Sequence, residues 1–359
     1  MKIAIITDSH FGGRGDNAVL FKHQDKFFTE VFFPTLEKEN VNTILHLGDL
    51  FDRRKFITFQ TLQNTKDTFL NKLVEKNIQM HIIAGNHDTA YKNTNSVNSL
   101  ALLLGEYKDN IHVYDDDTQE LTFDKLRVIM VPWITPENSV KIGKSIKKSK
   151  ADYVMGHFEI VGFPMSGGEL CKHGLDASMF NNFEYVFSGH FHVPSEKGNV
   201  KYLGSPYQMD WSDYGSERGF YLIDSETRDL EFIKNPYNLF EIIEYDDENA
   251  TIKDLESLDS GIYKDTFIKI ETKKVTNPAL LNKFVEKIES FDAADVKVKD
   301  VPVYRVATDD EKEEMNEGVV EDTHTMVSNY VDKQPLEEDM KEAVKSKFME
   351  LYKRCEKLT

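Results

Sequence analysis

The sequence predicts an α/β fold in which two facing β-sheets are flanked by helices. Over the first 150 residues, short apolar runs rich in β-branched side chains alternate with amphipathic segments of helical period, which is the pattern of a layered α/β fold. Beyond that point, most apolar runs are short and separated by turn residues, as expected of a second sheet that faces the first. Several of the predicted strands are followed by short motifs rich in His and Asp.

Strands and helices are expected to alternate in the first half of the chain. Apolar side chains recur at helical spacing after Gln24, between Leu62 and Leu73, and around Leu100, and a lysine-rich helix is predicted over residues 136–150. The predicted strands of this half cover residues 2–7, 43–47, 80–84, 111–114 and 126–131. The second sheet is expected to contain residues 153–155, 185–188, 200–203, 220–224 and 230–233.

The composition changes after residue 233 and predicts further segments. A strand and helix pattern continues between residues 237 and 288. Residues 309–322 hold eight acidic residues against Lys312 alone, which is typical of a solvated linker. Apolar residues at helical spacing on both sides of Pro335 predict two helices. The expected segments are a first domain over residues 1–235, a small α+β cap over 236–305, an acidic linker over 306–325 and a C-terminal helical pair over 326–359.

Composition limits the function classes. The 359 residues carry 44 Lys+Arg against 62 Asp+Glu, a formal net charge of −18. A global basic field that holds a polyanion is therefore absent, and any nucleic-acid contact must be local. Only Cys171 and Cys355 could form a disulfide, and Met1 leads directly into a strand-like run, so the expected compartment is the cytoplasm. No apolar run approaches the roughly 20 residues of a membrane-spanning helix, so no membrane association is expected.

Five polar motifs lie at the carboxyl ends of predicted strands. Open α/β sheets gather ligands and catalytic groups at these ends, and glycine allows the sharp backbone exit that turns a side chain toward a shared centre. The motifs are Asp8-Ser9-His10, Gly48-Asp49-Leu50-Phe51-Asp52, Gly85-Asn86-His87-Asp88, Gly156-His157 and Gly189-His190-Phe191-His192.

The donor types in these motifs favour a divalent metal site. Carboxylate, imidazole and amide oxygen donors suit manganese, iron or zinc. A single His after a strand is usually a hydrogen-bonded core residue, and Asn-His or Asp-Gly pairs usually form turns. Five such motifs in order, each after a strand, favour the metal site over that explanation.

The motif order resembles that of the calcineurin-like metallophosphoesterase superfamily over residues 8–192. Within it, the chain is similar to SbcD-type nuclease subunits of double-strand-break repair complexes, and especially to recombination endonuclease subunits of T-even-like phages. The flanking stretches that carry this closer likeness are Arg54-Lys55, Tyr91-Lys92-Asn93, Phe158-Glu159, Gly162-Phe163, His173-Gly174-Leu175 and Tyr202-Leu203-Gly204-Ser205-Pro206. The resemblance implies the metallophosphoesterase fold, with two facing mixed β-sheets flanked by helices.

The resemblance also implies roles for the motif residues and two divalent ions, with Mn²⁺ as the expected metal. His87, which is adjacent to a ligand, is expected to act as general acid. Asp52 could fix the tautomer of His87 by accepting from a ring nitrogen. The implied ligands are Asp8, His10 and His192 for one ion, Asn86, His157 and His190 for the other, and Asp49 as the bridge.

The function implied is that of a metal-dependent DNA nuclease with 3′ to 5′ exonuclease activity on duplex DNA and endonuclease activity on single strands. The cap is expected to contact DNA, and residues 326–359 are expected to bind the coiled coil of an ABC-type ATPase. A homodimer could pack through the helices at residues 62–74 and 100–104. For a phage-encoded chain, the compartment would be the host cytoplasm.

Two other functions remain open at this point. A phosphomonoesterase is possible because Arg53 directly follows Asp52, as the phosphate-binding arginine does in Ser/Thr phosphatases. Arg53 could equally be a solvated loop charge or a contact to the DNA backbone. A metal-free scaffold on the same fold is the third alternative, although no ligand position is missing.

Overall fold

The computed structural model describes residues 1–165, 168–248 and 260–300, together with Val331 and a few residues between 340 and 347. The chain forms two compact units, Met1–Asp300 and Val301–Thr359. The predicted acidic linker and most of the predicted helical pair lie outside the described residues. In the described part, no helix is long and apolar enough to cross a membrane.

The strands of the first unit match most of the predicted ones within a few residues. They are β1 (Lys2–Ile6), β2 (Thr43–His46), β3 (Gln79–Ile83), β4 (Ile111–Tyr114), β5 (Gln119–Phe123), β6 (Leu126–Val131), β7 (Tyr153–His157), β8 (Tyr185–Gly189), β9 (Ser195–Lys197), β10 (Val200–Tyr202), β11 (Gly219–Asp224), β12 (Leu230–Lys234), β13 (Phe240–Asp246), β14 (Phe267–Lys274) and β15 (Asp295–Asp300).

Four of the helices, α1, α3, α5 and α7, begin at polar residues whose side chains cap the first turn. The side chain of Asn17 accepts hydrogen bonds from the first turn of α1, and that of Asn277 does the same for α7. Two π-helical turns, Phe28–Phe32 and Lys66–Leu70, join α1 to α2 and α3 to α4. The helices are α1 (Ala18–Phe27), α2 (Phe33–Lys38), α3 (Phe59–Thr65), α4 (Asn71–Glu75), α5 (Ser99–Leu103), α6 (Ser139–Lys148) and α7 (Pro278–Glu289).

Two six-stranded mixed sheets form the body of this unit. The first has the order β12-β11-β1-β2-β3-β4, and the second has the order β5-β6-β7-β8-β10-β9. Ile5 and Leu45 of the first sheet share one buried cluster with Met155 and Phe187 of the second, so the sheets pack face to face. The predicted fold class is confirmed.

Helices cover the outer faces of both sheets. Phe28 and Phe69, from the two π turns, pack 4.9 Å apart between ring centroids over the first sheet. Ile142 and Ile146 of α6 belong to the cluster on the second sheet, and the lysines of this helix face solvent. Each helix therefore buries one apolar stripe, as a flanking layer requires.

A separate three-stranded parallel sheet, β13-β14-β15, follows the two large sheets and has α7 packed on it. Phe240 and Phe267 of this sheet lie over the Arg14 guanidinium, at 5.3 and 4.9 Å from their ring centroids. This layer falls in the same compact unit as the two large sheets. The division into a domain over residues 1–235 and a cap over 236–305 stays a prediction.

One part of the predicted topology is wrong. Residues 220–224 and 230–233 were expected in the second sheet, but β11 pairs antiparallel with β1 and extends the first sheet through β12. The edge strands β5, β9 and β15 were not predicted. Strand β9 has no apolar residue, and β5 and β15 have only two each, at Leu121 and Phe123 and at Val296 and Val298. Such short apolar patterns are too weak to support a strand prediction.

Candidate metal centre

The five motifs converge where the carboxyl ends of the strands of both sheets meet. Asp8, Asp49 and Asn86 follow the parallel strands β1, β2 and β3. His157 ends β7 and His190 follows β8, which are parallel neighbours in the second sheet. Because parallel strands end at the same edge of a sheet, each sheet presents its polar side chains on one side, toward the other sheet.

The backbone at these positions adopts a conformation that non-glycine residues seldom adopt. The φ angles are 52° at Asp8, 42° at His10, 56° at Asp49 and 88° at His190. A side chain at Gly85 would place its Cβ 2.2 Å from the Asp49 carboxylate, so only glycine allows the two loops to approach this closely. Strained conformations of this kind are typical of functional sites.

Asp8, His10 and His192 form the first group of potential ligands. The Nε2 atoms of His10 and His192 are 3.1 Å apart. Oδ1 of Asp8 lies 3.7 Å from the first and 3.8 Å from the second of these nitrogens. Three donor atoms therefore point at one common position.

Asn86, His157 and His190 form the second group. Oδ1 of Asn86 lies 2.9 Å from Nε2 of His157 and 2.8 Å from Nδ1 of His190. The other ring nitrogen of His157, Nδ1, is 2.7 Å from the Leu47 carbonyl oxygen and donates to it. In the neutral ring, Nε2 therefore carries its lone pair toward the other two donors.

Asp49 lies between the two groups. Its Oδ2 atom is 3.6 Å from Nε2 of His10 and 3.3 Å from Nε2 of His157. Its Oδ1 atom accepts a hydrogen bond of 2.7 Å from the backbone N–H of His87. All seven predicted ligands therefore come together, and the carboxylate expected to bridge is the one that reaches both groups. The ligand assignment itself stays a prediction.

The electrostatics of the centre favour a cation. Burial disfavours protonation of His10 and His157, but the neighbouring carboxylates outweigh it and raise the pKa values to about 10 and about 9. Burial also disfavours ionisation of Asp49, yet the imidazoles of His157 and His10 hold the pKa of its carboxyl well below its usual range. The side chains thus attract positive charge into a buried space, and the donor set fits divalent metals.

The chain matches a known protein family over the segment that contains all five motifs. The profile of the calcineurin-like phosphoesterases matches residues 1–194, which is more than half of the chain. The chain belongs to this family.

Similar proteins span nearly the same length as this phosphoesterase, and the resemblance inferred from the motifs is confirmed. Exonuclease subunit 1 of Enterobacteria phage T4 is 32% identical over 83% of this chain and 89% of its own. The SbcD component of nuclease SbcCD from Staphylococcus epidermidis is 24% identical over 84% of this chain and 90% of its own. The DNA double-strand break repair protein Mre11 of Methanocaldococcus jannaschii is 27% identical, covering 80% and 73%.

The expected contact of Asp52 in the phosphoesterase site is wrong. Its carboxylate was expected to accept from His87, but Oδ1 lies 3.3 Å from Nδ1 of His10. The backbone carbonyl of Asp52 contacts Nδ1 of His87 instead. The peptide therefore fixes the His87 tautomer, whereas the carboxylate orients the ring of a predicted ligand.

His87 lies beside the first group without joining it. Its ring packs edge-on against His10, with centroids 4.8 Å apart, and the side chain is half-buried. His10, Asp52 and His87 also form a compact trio, but Nδ1 of His87 is occupied by the Asp52 carbonyl. No hydrogen-bond partner of Nε2 of His87 is found in the part of the chain that the structure describes.

Two residues that support the motif loops were not predicted from the sequence. The buried carboxylate of Asp88 accepts backbone hydrogen bonds from Asp49, Leu50 and Gly85 at 2.8, 3.1 and 2.9 Å, so it ties two motif loops together. Arg218 donates to the His192 carbonyl and to Asp213. The position of Asp88 inside a motif was a signal for such a role, whereas nothing local distinguishes Arg218.

Arg53 contacts Asp16 and Phe56, neither of which is a predicted metal ligand. Its Nη1 lies 3.5 Å from Oδ2 of Asp16, and its guanidinium lies 4.7 Å from the centroid of the Phe56 ring. The phosphomonoesterase alternative requires this guanidinium to bind the substrate phosphate.

Proposed function

We propose that this chain is a metal-dependent DNA nuclease that acts on duplex ends as a 3′ to 5′ exonuclease and on single strands as an endonuclease. The position of the Asp49 carboxylate within 3.6 Å of one histidine from each ligand group carries the two-metal part of the proposal. The nuclease part is supported by the T4, SbcCD and Mre11 relatives, whose names describe an exonuclease, a nuclease and a DNA repair protein.

Two divalent ions, with Mn²⁺ expected, fit the two groups. Asp8, His10 and His192 would hold one, Asn86, His157 and His190 would hold the other, and Asp49 would bind both. When bound, such a pair neutralises phosphodiester charge and activates water for in-line attack. The protein contributes by fixing the donors, since the Leu47 carbonyl and the Asp52 carboxylate orient His157 and His10.

His87 is proposed to protonate the leaving sugar oxygen. Its Nδ1–H donates to the Asp52 carbonyl, so the second proton of the imidazolium is held at Nε2. That atom is the one left to face the substrate. A general acid in this position would avoid expulsion of an alkoxide near neutral pH.

A phosphomonoesterase remains the second candidate, and a direct assay separates the two. Purified full-length protein with Mn²⁺ is given end-labelled DNA and a phosphomonoester in parallel. We expect DNA hydrolysis that EDTA abolishes and negligible monoester hydrolysis, since the Arg53 guanidinium pairs with Asp16 in the structure. Hydrolysis of the monoester alone would overturn the nuclease proposal, and activity on neither substrate would support the metal-free scaffold.

An ABC-type ATPase is the proposed partner. The names of the T4 and Staphylococcus relatives describe subunits of larger enzymes, and residues 326–359, which lie mostly outside the described residues, are the predicted binding segment. Deleting them should leave the metal-dependent activity and abolish co-purification with the ATPase. An insoluble, inactive truncation would show that this segment completes the chain's own fold.

A homodimer is proposed through an exposed apolar surface beside α3 and α5. Phe59 is 92% exposed and Leu102 is 72% exposed, and Phe56 and Val97 lie near them. An exposed patch of this kind is typical of an interaction site. Leu102→Glu should halve the mass measured by light scattering, whereas Val140→Glu, on the solvent side of α6, should not.

The cap is proposed to contact DNA, and the cytoplasm remains the expected compartment.

A further inference from the structure

A small cavity adjoins the second group of predicted ligands. Its volume is about 130 Å³, and His157 forms part of its wall. The other walls are largely apolar and come from Trp133, Ile134, Phe158 and Leu175. A space of this size is far below the roughly 300–1,000 Å³ of sites that enclose a whole drug-sized ligand, so it suits one ring system of a larger molecule.

Trp133 is held in a fixed relation to the metal centre. Its indole ring packs against His157 and His190, with centroid distances of 5.9 and 5.1 Å. Its backbone N–H donates to the Ala84 carbonyl at 2.8 Å, and its carbonyl accepts from the Asn95 amide at 2.8 Å. The side chain is only half-buried, so a rigid aromatic surface remains accessible beside the ligands.

Another part of the wall is built from two stretches that contain no predicted metal ligand. The backbone N–H of Leu175 donates to the Glu159 carbonyl at 2.8 Å, which brings Phe158-Glu159 next to Gly174-Leu175. Gly174 has a φ of 145°, and a Cβ there would lie 2.4 Å from the Glu159 carbonyl oxygen, so only glycine permits this approach. Glu159 is the acidic side chain among the lining residues.

We propose that this cavity, named the base pocket and formed by Trp133, Ile134, Phe158, Glu159 and Leu175, receives the nucleobase of a nucleotide adjoining the scissile phosphate. The proposal rests on the proposed nuclease function. Aromatic side chains stack on any base, because every base has a π face. A carboxylate accepts from an exocyclic amine, so Glu159 favours cytosine, adenine and guanine, which carry such an amine, over thymine.

A matched pair of substrates tests the pocket in the unaltered protein. One oligonucleotide carries a tetrahydrofuran abasic residue next to the scissile phosphate, and the control carries it several nucleotides away. Loss of a stacked base should slow hydrolysis of the first by roughly 5- to 150-fold and leave the second unchanged. Equal rates on both would overturn the proposal.

Variants of Trp133, combined with the abasic substrate, test whether its ring is the stacking partner of the base. Trp133→Ala should lose the same factor on normal DNA and lose nothing more on the adjacent abasic substrate, because the stacking partner is already gone. Trp133→Tyr, which retains an aromatic face, should keep most of the rate. If the Trp133→Ala and abasic losses multiply, the base lies elsewhere.

A binding measurement separates this inference from the nuclease proposal. Trp211, the other tryptophan, packs on Phe240 at 4.7 Å, so Trp211→Phe leaves Trp133 as the sole indole fluorophore. Deoxycytidine monophosphate should quench it, deoxyribose 5-phosphate should not, and Glu159→Gln should weaken binding of deoxycytidine monophosphate more than of thymidine monophosphate. Absence of quenching would overturn the proposed base pocket even if the protein cuts DNA. Quenching without DNA hydrolysis would support the base pocket and refute the proposed nuclease function.

Discussion

The two halves of the metal centre are built differently behind their histidines. In the first group, the Asp52 carboxylate lies 3.3 Å from Nδ1 of His10. In the second group, the Leu47 carbonyl oxygen takes the same position, 2.7 Å from Nδ1 of His157. The Leu47 carbonyl fixes the ring of His157 by a hydrogen bond, whereas the Asp52 carboxylate lies at ion-pair distance from His10. One partner is backbone and the other is a side chain.

Exposure does not distinguish the halves. Each group has two buried ligands and one half-buried histidine, His192 in the first group and His190 in the second. A carboxylate next to an imidazole makes that imidazole a more basic metal ligand. Substitution can remove the Asp52 carboxylate, but no side-chain substitution removes the backbone carbonyl of Leu47. We therefore expect the first ion to be the one whose affinity a side-chain substitution behind its ligand can change.

The largest effect is expected from substitution of Asp49, whose carboxylate reaches both ligand groups. Asp49→Asn should lower the occupancy of both sites and abolish detectable activity, because Oδ2 faces a histidine of each group. Metal content by mass spectrometry and hydrolysis of labelled DNA should fall together. Asp117→Asn, at an exposed pair with Lys141, is the control. Two bound ions and full activity in Asp49→Asn would refute the bridging role.

The next largest effect concerns a residue outside both halves. His87→Ala should retain both metals and slow DNA hydrolysis by roughly 10²- to 10⁴-fold, as expected for a lost general acid. A nitrophenyl phosphodiester should recover much of the rate, because its phenolate leaves without a proton. If the variant loses metal, or if the activated diester is slowed as much as DNA, the proton-transfer role fails.

A smaller effect should separate the halves. Asp52→Asn should weaken binding of the first ion by about 10- to 100-fold, as for other groups that orient metal ligands, and leave the second ion nearly unchanged. Calorimetric titration with Mn²⁺ would resolve two affinities. Equal weakening of both sites would contradict the difference between the halves. A slowed rate with both affinities intact would return Asp52 to the role first expected, as a partner of His87.

Local patterns were sufficient to predict where the donors gather. Strands β1, β2 and β3 have apolar runs followed closely by a polar motif, and strand end and motif are adjacent in the chain. Membership of β11 in the first sheet could not be predicted in this way. Its pairing with β1 joins residues such as Ile3 and Ile223, which are far apart in sequence, and an apolar strand can pack on either sheet.

The sequence also could not predict which neighbour an individual side chain contacts. Asp52 is three residues from Asp49 and close to His87 in either arrangement, so the motif does not specify which histidine its carboxylate faces. Backbone with φ of 56° at Asp49 turns the loop so that the Asp52 carboxylate reaches His10 while its carbonyl reaches His87. A conformation of that kind follows from the packing of several loops, including the Asp88 hydrogen bonds.

The central claim is that two ions share the Asp49 carboxylate. A crystal structure of the full chain grown with Mn²⁺, with anomalous scattering measured at the manganese edge, tests this directly. We expect two peaks about 3.5–4 Å apart, one among Asp8, His10 and His192 and one among Asn86, His157 and His190, with the Asp49 carboxylate between them. A single peak, or two peaks of which only one contacts Asp49, would contradict it.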